Sequence, residues 1–144
     1  MRKRKRSLPW NLILVATVLL CLFAFVEHYK NWYSIKDGNL KVLSGAYYQK
    51  IPLDRVDSLL MVDRLPEMER GSGFSWNTRE KGVFRDSVRA GTVHVFVDDL
   101  GQRKIKLVHH DSLVLYMNLR DSLETQKLYG QLQLGLDALS GDTP

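Results

Sequence analysis

Hydrophobic and polar positions follow three successive patterns along the chain. No charged residue occurs between Arg6 and Glu27, and a helix over residues 8–26 would be about 28 Å long, close to the roughly 30 Å hydrocarbon core of a bilayer. Between residues 33 and 118, several short runs alternate apolar and polar residues, which is typical of strands with one buried face. The last part has leucines at helical spacing. The pattern predicts one transmembrane helix, a β-rich region and a final helix.

Eight strands are predicted from this alternation and from the turn residues between them. In the segment 92–98, valines alternate with His94 and Phe96, which predicts valines on a buried face and the other two side chains on a solvated face. Asp37-Gly38 is a tight hairpin signal, because glycine adopts positive φ without a steric penalty. The predicted strands cover residues 33–36, 39–44, 46–51, 55–62, 82–88, 92–98, 103–109 and 112–118.

The final helix is predicted to begin after Asp121. Asp121 can act as its N-cap, and Glu124 three residues later completes a capping box. Four leucines then fall on one helical face: Leu128, Leu132, Leu136 and Leu139. Gly130 and Gly135 each weaken a helix by up to about 1 kcal/mol relative to alanine. We therefore expect packing to supply most of the stability of this helix.

The positive charge is concentrated before the apolar stretch. Five of the 21 Lys and Arg residues lie in Arg2–Arg6, and the remaining 16 balance the 16 Asp and Glu residues. A neutral domain does not support electrostatic binding of nucleic acid, which needs a basic face. Basic residues beside a span stay on the cytoplasmic side, so the N-terminus is predicted to be cytoplasmic and the domain to lie across the membrane.

The apolar stretch has two alternative interpretations. A secretory signal peptide would need small residues at a cleavage site, and residues 22–26 contain no Ala-x-Ala pattern. A lipid-modified cysteine at Cys21 would need a small residue before it, where the chain has Leu19 and Leu20. We expect an uncleaved anchor in which Cys21 is an apolar residue of the span. No cysteine follows Cys21, so the domain is predicted to fold without an internal disulfide.

These observations predict five segments. Aromatic residues flank the span, with Trp10 at one end and Tyr29, Trp32 and Tyr33 at the other, where amphipathic rings prefer the headgroup layer. The segments are a cytoplasmic basic tail (1–7), a transmembrane helix (8–26), a juxtamembrane aromatic segment (27–33), one domain (34–140) and a disordered tail (141–144).

Four stretches of the domain resemble a known family. They are Asp37-Gly38-Asn39-Leu40-Lys41-Val42, Ile51-Pro52-Leu53-Asp54-Arg55-Val56, Lys81-Gly82-Val83-Phe84, and Leu115-Tyr116-Met117-Asn118-Leu119 followed by Thr125 and Leu128-Tyr129. In this order and spacing, residues 34–130 resemble the bacterial pleckstrin-homology-like domain family, in the membrane-anchored form of Bacteroides-type bacteria. The resemblance implies a mainly β fold, an antiparallel barrel capped by the C-terminal α-helix, with no catalytic residues. Together with the predicted cytoplasmic N-terminus, a bacterial family predicts an inner-membrane protein with a periplasmic domain.

The segment 64–81 is the best candidate for a binding site, because it is predicted to be a long loop and long loops are commonly functional or disordered. Five residues in and beside it form a candidate ligand-binding rim for an anionic or peptide ligand: Phe74, Trp76, Arg79, Lys81 and Arg85. The alternative is that Phe74 and Trp76 fold back and plug one end of the barrel. We expect Phe74 to be structural and Trp76 to be at least partly exposed.

Catalytic and metal chemistry has weak support in the sequence. Residues 109–112 contain the residue types of a hydrolytic triad, but adjacent side chains on a strand point to opposite faces, and the segment is predicted to be a turn. Asp98-Asp99 is likewise predicted to be a solvated turn. The four histidines lack metal-ligand spacing. The prediction is no enzyme, no metal and no cofactor.

The sequence therefore predicts a non-catalytic, membrane-anchored interaction module of the bacterial envelope. Its predicted partners are the membrane, through a single span, and another envelope protein or peptide. Two alternatives remain open: a periplasmic small-ligand or lipid sensor that uses the loop with Phe74 and Trp76, and an unrecognised hydrolase.

Overall fold

The computed structural model describes residues 8–141, which form two β-sheets and two α-helices. The elements are α1 (Leu8–Tyr29), β1 (Trp32–Lys36), β2 (Asn39–Ser44), β3 (Tyr47–Pro52), a 3₁₀ turn (Leu53–Arg55), β4 (Val56–Val62), β5 (Met68–Trp76), β6 (Arg79–Asp86), β7 (Thr92–Val97), β8 (Lys104–His109), β9 (Leu113–Asn118) and α2 (Ser122–Gly141). The predicted basic tail (1–7) and residues 142–144 of the predicted C-terminal tail lie outside the described residues.

Helix α1 is compatible with a single transmembrane span. Its stretch Pro9–Val26 is long and apolar enough to cross a bilayer, and none of that stretch is buried against the rest of the protein. Large apolar side chains are exposed all along it, as at Leu12, Leu20 and Phe25. A helix that is apolar on every side needs apolar surroundings, which a bilayer provides.

The strands form two separate sheets rather than the closed barrel that the family resemblance implied. Strands β1, β2 and β3 make an antiparallel sheet, and six strands make the second in the order β4-β8-β9-β7-β6-β5. The expectation of purely antiparallel pairing is also wrong at one position, because β7 and β9 pair in parallel. Two chain reversals, before and after β8, bring β9 back beside β7 in the same direction.

Strand β5 was missed in the sequence because its glycines were interpreted as loop residues. It pairs with β6 across the two-residue turn Asn77-Thr78, and Gly73 lies opposite Gly82. A Cβ atom on Gly73 would lie 2.4 Å from the carbonyl oxygen of Lys81. The glycines therefore allow a close approach of two backbones inside a hairpin, which is the other meaning of glycine in a strand.

The main core lies between the two sheets and under α2. Its fully or almost fully buried members come from both sheets and the helix: Leu40, Val42, Ile51, Leu53, Phe96, Ile105, Leu107, Leu115, Met117, Leu119, Leu128 and Leu132. A second cluster around Phe84, Val95 and Tyr116 covers the outer face of the large sheet. Both faces of β7 are thus covered, so the prediction of a solvated face at His94 and Phe96 is wrong: Phe96 is fully buried.

Helix α2 follows the predicted pattern at its start and departs from it at its end. The backbone N–H of Leu123 donates to Asp121 Oδ1 at 2.8 Å, which confirms the predicted N-cap. Leu128 and Leu132 are buried, whereas Leu139 is 44% exposed. The helix leaves the core over its last turns and opens a groove beside β4.

Candidate functional site

The structure divides the five predicted rim residues among three places. Phe74 and Trp76 lie on β5 and Arg79 begins β6, all beside the C-terminal part of α1. Lys81 is 1% exposed and lies between the sheets. Arg85 is exposed near the opposite end of β6. A single rim made of all five residues is therefore not formed.

Neither aromatic ring plugs an end of the fold. Trp76 is 66% exposed and Phe74 is 37% exposed. Their ring centroids are 6.3 Å apart, so they form one aromatic pair on the edge strand of the large sheet. The exposure of Trp76 is confirmed, and the largely structural role expected for Phe74 is not.

A buried polar cluster joins the end of α1 to the domain. The Lys81 ammonium lies 3.0 Å from Asp98 Oδ1, with both side chains about 1% exposed. Asn31, two residues after α1, donates its backbone N–H to Asp98 Oδ2 at 2.8 Å. The Asn31 amide donates to the carbonyl oxygen of Phe96, and Ser44 Oγ donates to Asn31 Oδ1. The chain is thus fixed to both sheets as soon as it leaves the helix.

Asn118 closes this cluster from β9. Its Oδ1 accepts the backbone N–H groups of Asp98 and Asp99 at 2.8 and 3.1 Å, and its backbone carbonyl accepts from the Asn31 amide at 2.8 Å. Asp98 is 2% exposed, so the interpretation of Asp98-Asp99 as a solvated turn is wrong for Asp98. The polar groups of this cluster need their partners, because a charge that is buried without a partner is strongly unfavourable.

This cluster is not predictable from the sequence as a whole, although one local signal points to Asp98. Asp98 continues the alternation of His94 and Phe96 on β7, so it shares the face on which Phe96 is buried. Burial lowers the pKa of Lys81 from its ordinary value, and the Asp98 carboxylate opposes that shift by favouring the charged amine. The arrangement is structural in form: a charge pair enclosed by its own hydrogen-bond partners.

A groove between β4 and the end of α2 is the second candidate site. It encloses about 560 Å³. Its apolar walls come from the 3₁₀ turn and β4 on one side and from α2 on the other: Leu53, Val56, Leu59, Leu136 and Leu139. Two exposed carboxylates, Asp54 and Asp57, lie along the same groove. The site combines apolar contact area with negative charge.

Strand β4 also presents backbone hydrogen-bonding groups at this groove. It is the last strand of the large sheet and pairs with β8; within residues 8–141 no strand pairs with its other edge. Every second residue of an edge strand directs its N–H and C=O groups away from the sheet. These groups can accept an additional strand.

The turn between β8 and β9 brings two histidines together. His110 and Asp111 adopt positive φ angles of 50° and 67°, which confirms a turn at this position. The turn places His109 Nδ1 2.8 Å from His110 Nδ1, a contact that the argument from alternating strand faces did not anticipate. Burial and, to a smaller extent, the neighbouring His110 together lower the pKa of His109 to about 4.

Metal geometry and similarity to known proteins are two further sources of evidence on function. Among residues 8–141, no group of three or more His, Cys, Asp and Glu side chains could hold a metal ion. Comparisons with protein-family models, curated proteins and solved structures find no match. The case for function therefore depends on the geometry of this chain alone.

Proposed function

We propose that the chain is a membrane-anchored, non-catalytic interaction module that binds an extended peptide segment of a partner protein in the groove between β4 and α2. The observation that carries the proposal is the unpaired edge of β4 beside exposed apolar side chains of α2. An extended peptide would add to the edge of β4, and its alternate side chains would contact Leu59 and Leu139.

The chemistry of the groove defines the expected peptide. The apolar walls favour Leu, Ile, Val or Phe at alternate positions of an extended segment. Asp54 and Asp57 favour Lys or Arg beside those positions, because opposite charges steer association and select partners. The proposed ligand is therefore an extended segment with alternating apolar side chains and a net positive charge.

Two of our proposals concern location and family. We infer a bacterial inner-membrane protein with a cytoplasmic N-terminus and a periplasmic domain, supported by the five basic residues before the span. The pleckstrin-homology-like relationship is supported by the four sequence stretches and by the strand-rich domain with a C-terminal helix.

A periplasm-dependent reporter fused after Pro144 should be active. Activity of a cytoplasm-dependent reporter at the same position would reverse the orientation.

The groove can be tested with peptides selected from a random linear library against the full chain in lipid nanodiscs. Leu139→Gln should weaken the binding of a selected peptide at least about tenfold, which corresponds to about 1.4 kcal/mol, because it removes an apolar contact without adding charge. Leu134→Gln is the matched control, because Leu134 is on the same helix, is 72% exposed and does not line the groove. Equal affinity of the two variants for the peptide would contradict the proposed site.

A further inference from the structure

The exposed aromatic pair of β5 lies alongside the anchor helix rather than at a free end of the domain. A groove of about 550 Å³ separates them. One wall is formed by four residues of α1 and the other by the β5–β6 hairpin: Cys21, Ala24, Phe25 and Tyr29, and Phe74, Trp76 and Arg79. The β5–β6 hairpin therefore lies alongside the last turns of α1.

The depth of this groove follows from helix geometry. Cys21 precedes Tyr29, the last residue of α1, by eight positions, which corresponds to about 12 Å along the helix axis. The candidate span extends to Val26. Residues 21–26 therefore belong both to the span and to the region that the hairpin faces, which puts Phe74 and Trp76 at the level of the bilayer surface or just below it.

The chemistry of the hairpin suits that level. Trp76 is 66% exposed and forms a pair with Phe74, and indole and phenyl rings prefer the membrane interface to water. The guanidinium carbons of Arg79 and Arg120 lie 4.9 and 4.7 Å from the centre of the Tyr29 ring. Two cations thus lie where the helix leaves the apolar layer, which is the level of lipid phosphates.

We propose that Phe74 and Trp76 insert into the bilayer that α1 spans and form a second membrane contact of the domain. Phospholipid acyl chains would occupy the groove between the hairpin and α1, and lipid phosphates would pair with Arg79 and Arg120. The domain is then held to the membrane surface at two points, α1 and the hairpin. This inference depends on α1 spanning a membrane and is independent of the peptide groove at β4.

The test uses the full chain in phospholipid vesicles, with Trp10→Phe and Trp32→Phe so that Trp76 is the sole tryptophan. Lipids brominated on their acyl chains should reduce Trp76 emission at least about twofold, because the ring lies among those chains. Iodide in the water should have little effect. Resistance to alkaline extraction from the vesicles establishes separately that α1 is inserted, so a failure of the anchor is distinguishable from a failure of the hairpin.

A matched control places a tryptophan at the other end of β6. Val88 is 90% exposed and follows β6, roughly 20 Å along the strand from Arg79. With Trp76→Phe added, a Val88→Trp variant should be quenched by iodide and not by bromolipid. If Trp76 behaves like this control, the domain stands clear of the bilayer and the proposal is wrong. If Trp76 is shielded from both quenchers, protein rather than lipid covers it, which also overturns the proposal.

Discussion

The two ends of α2 differ in what they bury and what they expose. At its start the helix lies close to the point where α1 joins the domain, and the buried polar residues there, Asn31 and Thr125, are hydrogen-bonded within the fold. At its end, roughly 20 Å away along the helix, Leu136 and Leu139 line a groove with apolar surface exposed. Buried polar groups near the start of α2 thus have their partners inside the fold, whereas apolar side chains at its end remain accessible to solvent.

The difference shows that the contacts joining α1 to the domain and the exposed apolar groove lie at opposite ends of α2. A buried ion pair has a low-energy arrangement only when its geometry and its hydrogen bonds are satisfied together, so the contacts of Asn31, Lys81 and Asp98 fix the direction in which the chain leaves the helix. Exposed apolar side chains impose no such geometry. They are free to contribute binding energy when a partner covers them.

The largest expected loss of stability comes from removing the buried ion pair between Lys81 and Asp98. Lys81→Met leaves the Asp98 carboxylate buried without its cation, and removing one partner of a buried ion pair costs about 3–5 kcal/mol. The expected result is a large fall in the free energy of unfolding, measured by denaturant titration of the full chain in micelles. Arg103→Met is the control, because the Arg103–Asp63 pair has side chains 60% and 79% exposed and exposed pairs contribute at most about 1 kcal/mol. Similar losses in both variants would show that the buried pair has no special role.

The next effect contrasts two glycines of α2. A Cβ atom at Gly135 would lie 3.1 Å from Leu53 Cδ1, whereas nothing lies within 4 Å of one at Gly130. Gly135→Ala should therefore destabilise the domain by about 1–3 kcal/mol through overpacking, and Gly130→Ala should stabilise it by up to about 1 kcal/mol through helix propensity. Thermal unfolding of the two variants measures both signs. A stabilising Gly135→Ala would mean that α2 does not press on the 3₁₀ turn.

A third expected effect is a loss of stability at low pH, caused by protonation of His109. The pKa of His109 in the fold is about 4, below the ordinary value of about 6.5, so protons bind the unfolded chain more tightly. The stability due to neutral His109 is present above pH 6.5 and is lost as the pH falls towards 4. Between pH 7 and pH 5 the loss should be about 2 kcal/mol.

His109→Gln is the informative comparison for this acid sensitivity. Its free energy of unfolding should change less between pH 7 and pH 5 than that of the unaltered chain, whatever its stability at pH 7. The other groups that act on His109 are His110, His94 and Asp57, and they remain in both proteins. An unchanged pH dependence would assign the acid sensitivity to one of them.

The sequence predicted most of the regular structure because hydrophobic period and turn residues are local signals. All eight predicted strands occur with ends no more than three residues from their predicted positions, and the Asp121 cap is present. Strand β5 was missed because glycine at positions 71 and 73 has two local meanings, a turn or a close backbone approach. Only the opposing Gly82, which the fold brings near, decides between them. The pairing of β7 with β9 and the division into two sheets are also non-local.

The candidate sites were less predictable than the fold. Exposure of Trp76 followed from its chemistry, but its neighbours on α1 could not be derived, since they precede it by about 50 residues in the sequence. Lys81 appeared to be a surface cation because lysine is seldom fully buried, and its partner Asp98 is 17 residues away. The groove between β4 and α2 lies where the end of α2 diverges from β4, and no local sequence pattern encodes that divergence.

The short junction between α1 and β1 holds the domain close to the end of α1. Only Lys30 and Asn31 separate the two elements, and Asn31 is fixed by the buried polar cluster. A flexible linker of ten residues would have a root-mean-square end-to-end distance of roughly 17 Å, whereas the two residues of this junction allow the domain far less movement relative to α1. If α1 spans a bilayer as proposed, the groove between β4 and α2 would be held at a fixed height above that bilayer, and a partner would have to present its segment at that height. A membrane-attached partner would hold its segment there continuously, whereas a soluble partner would reach it only by diffusion.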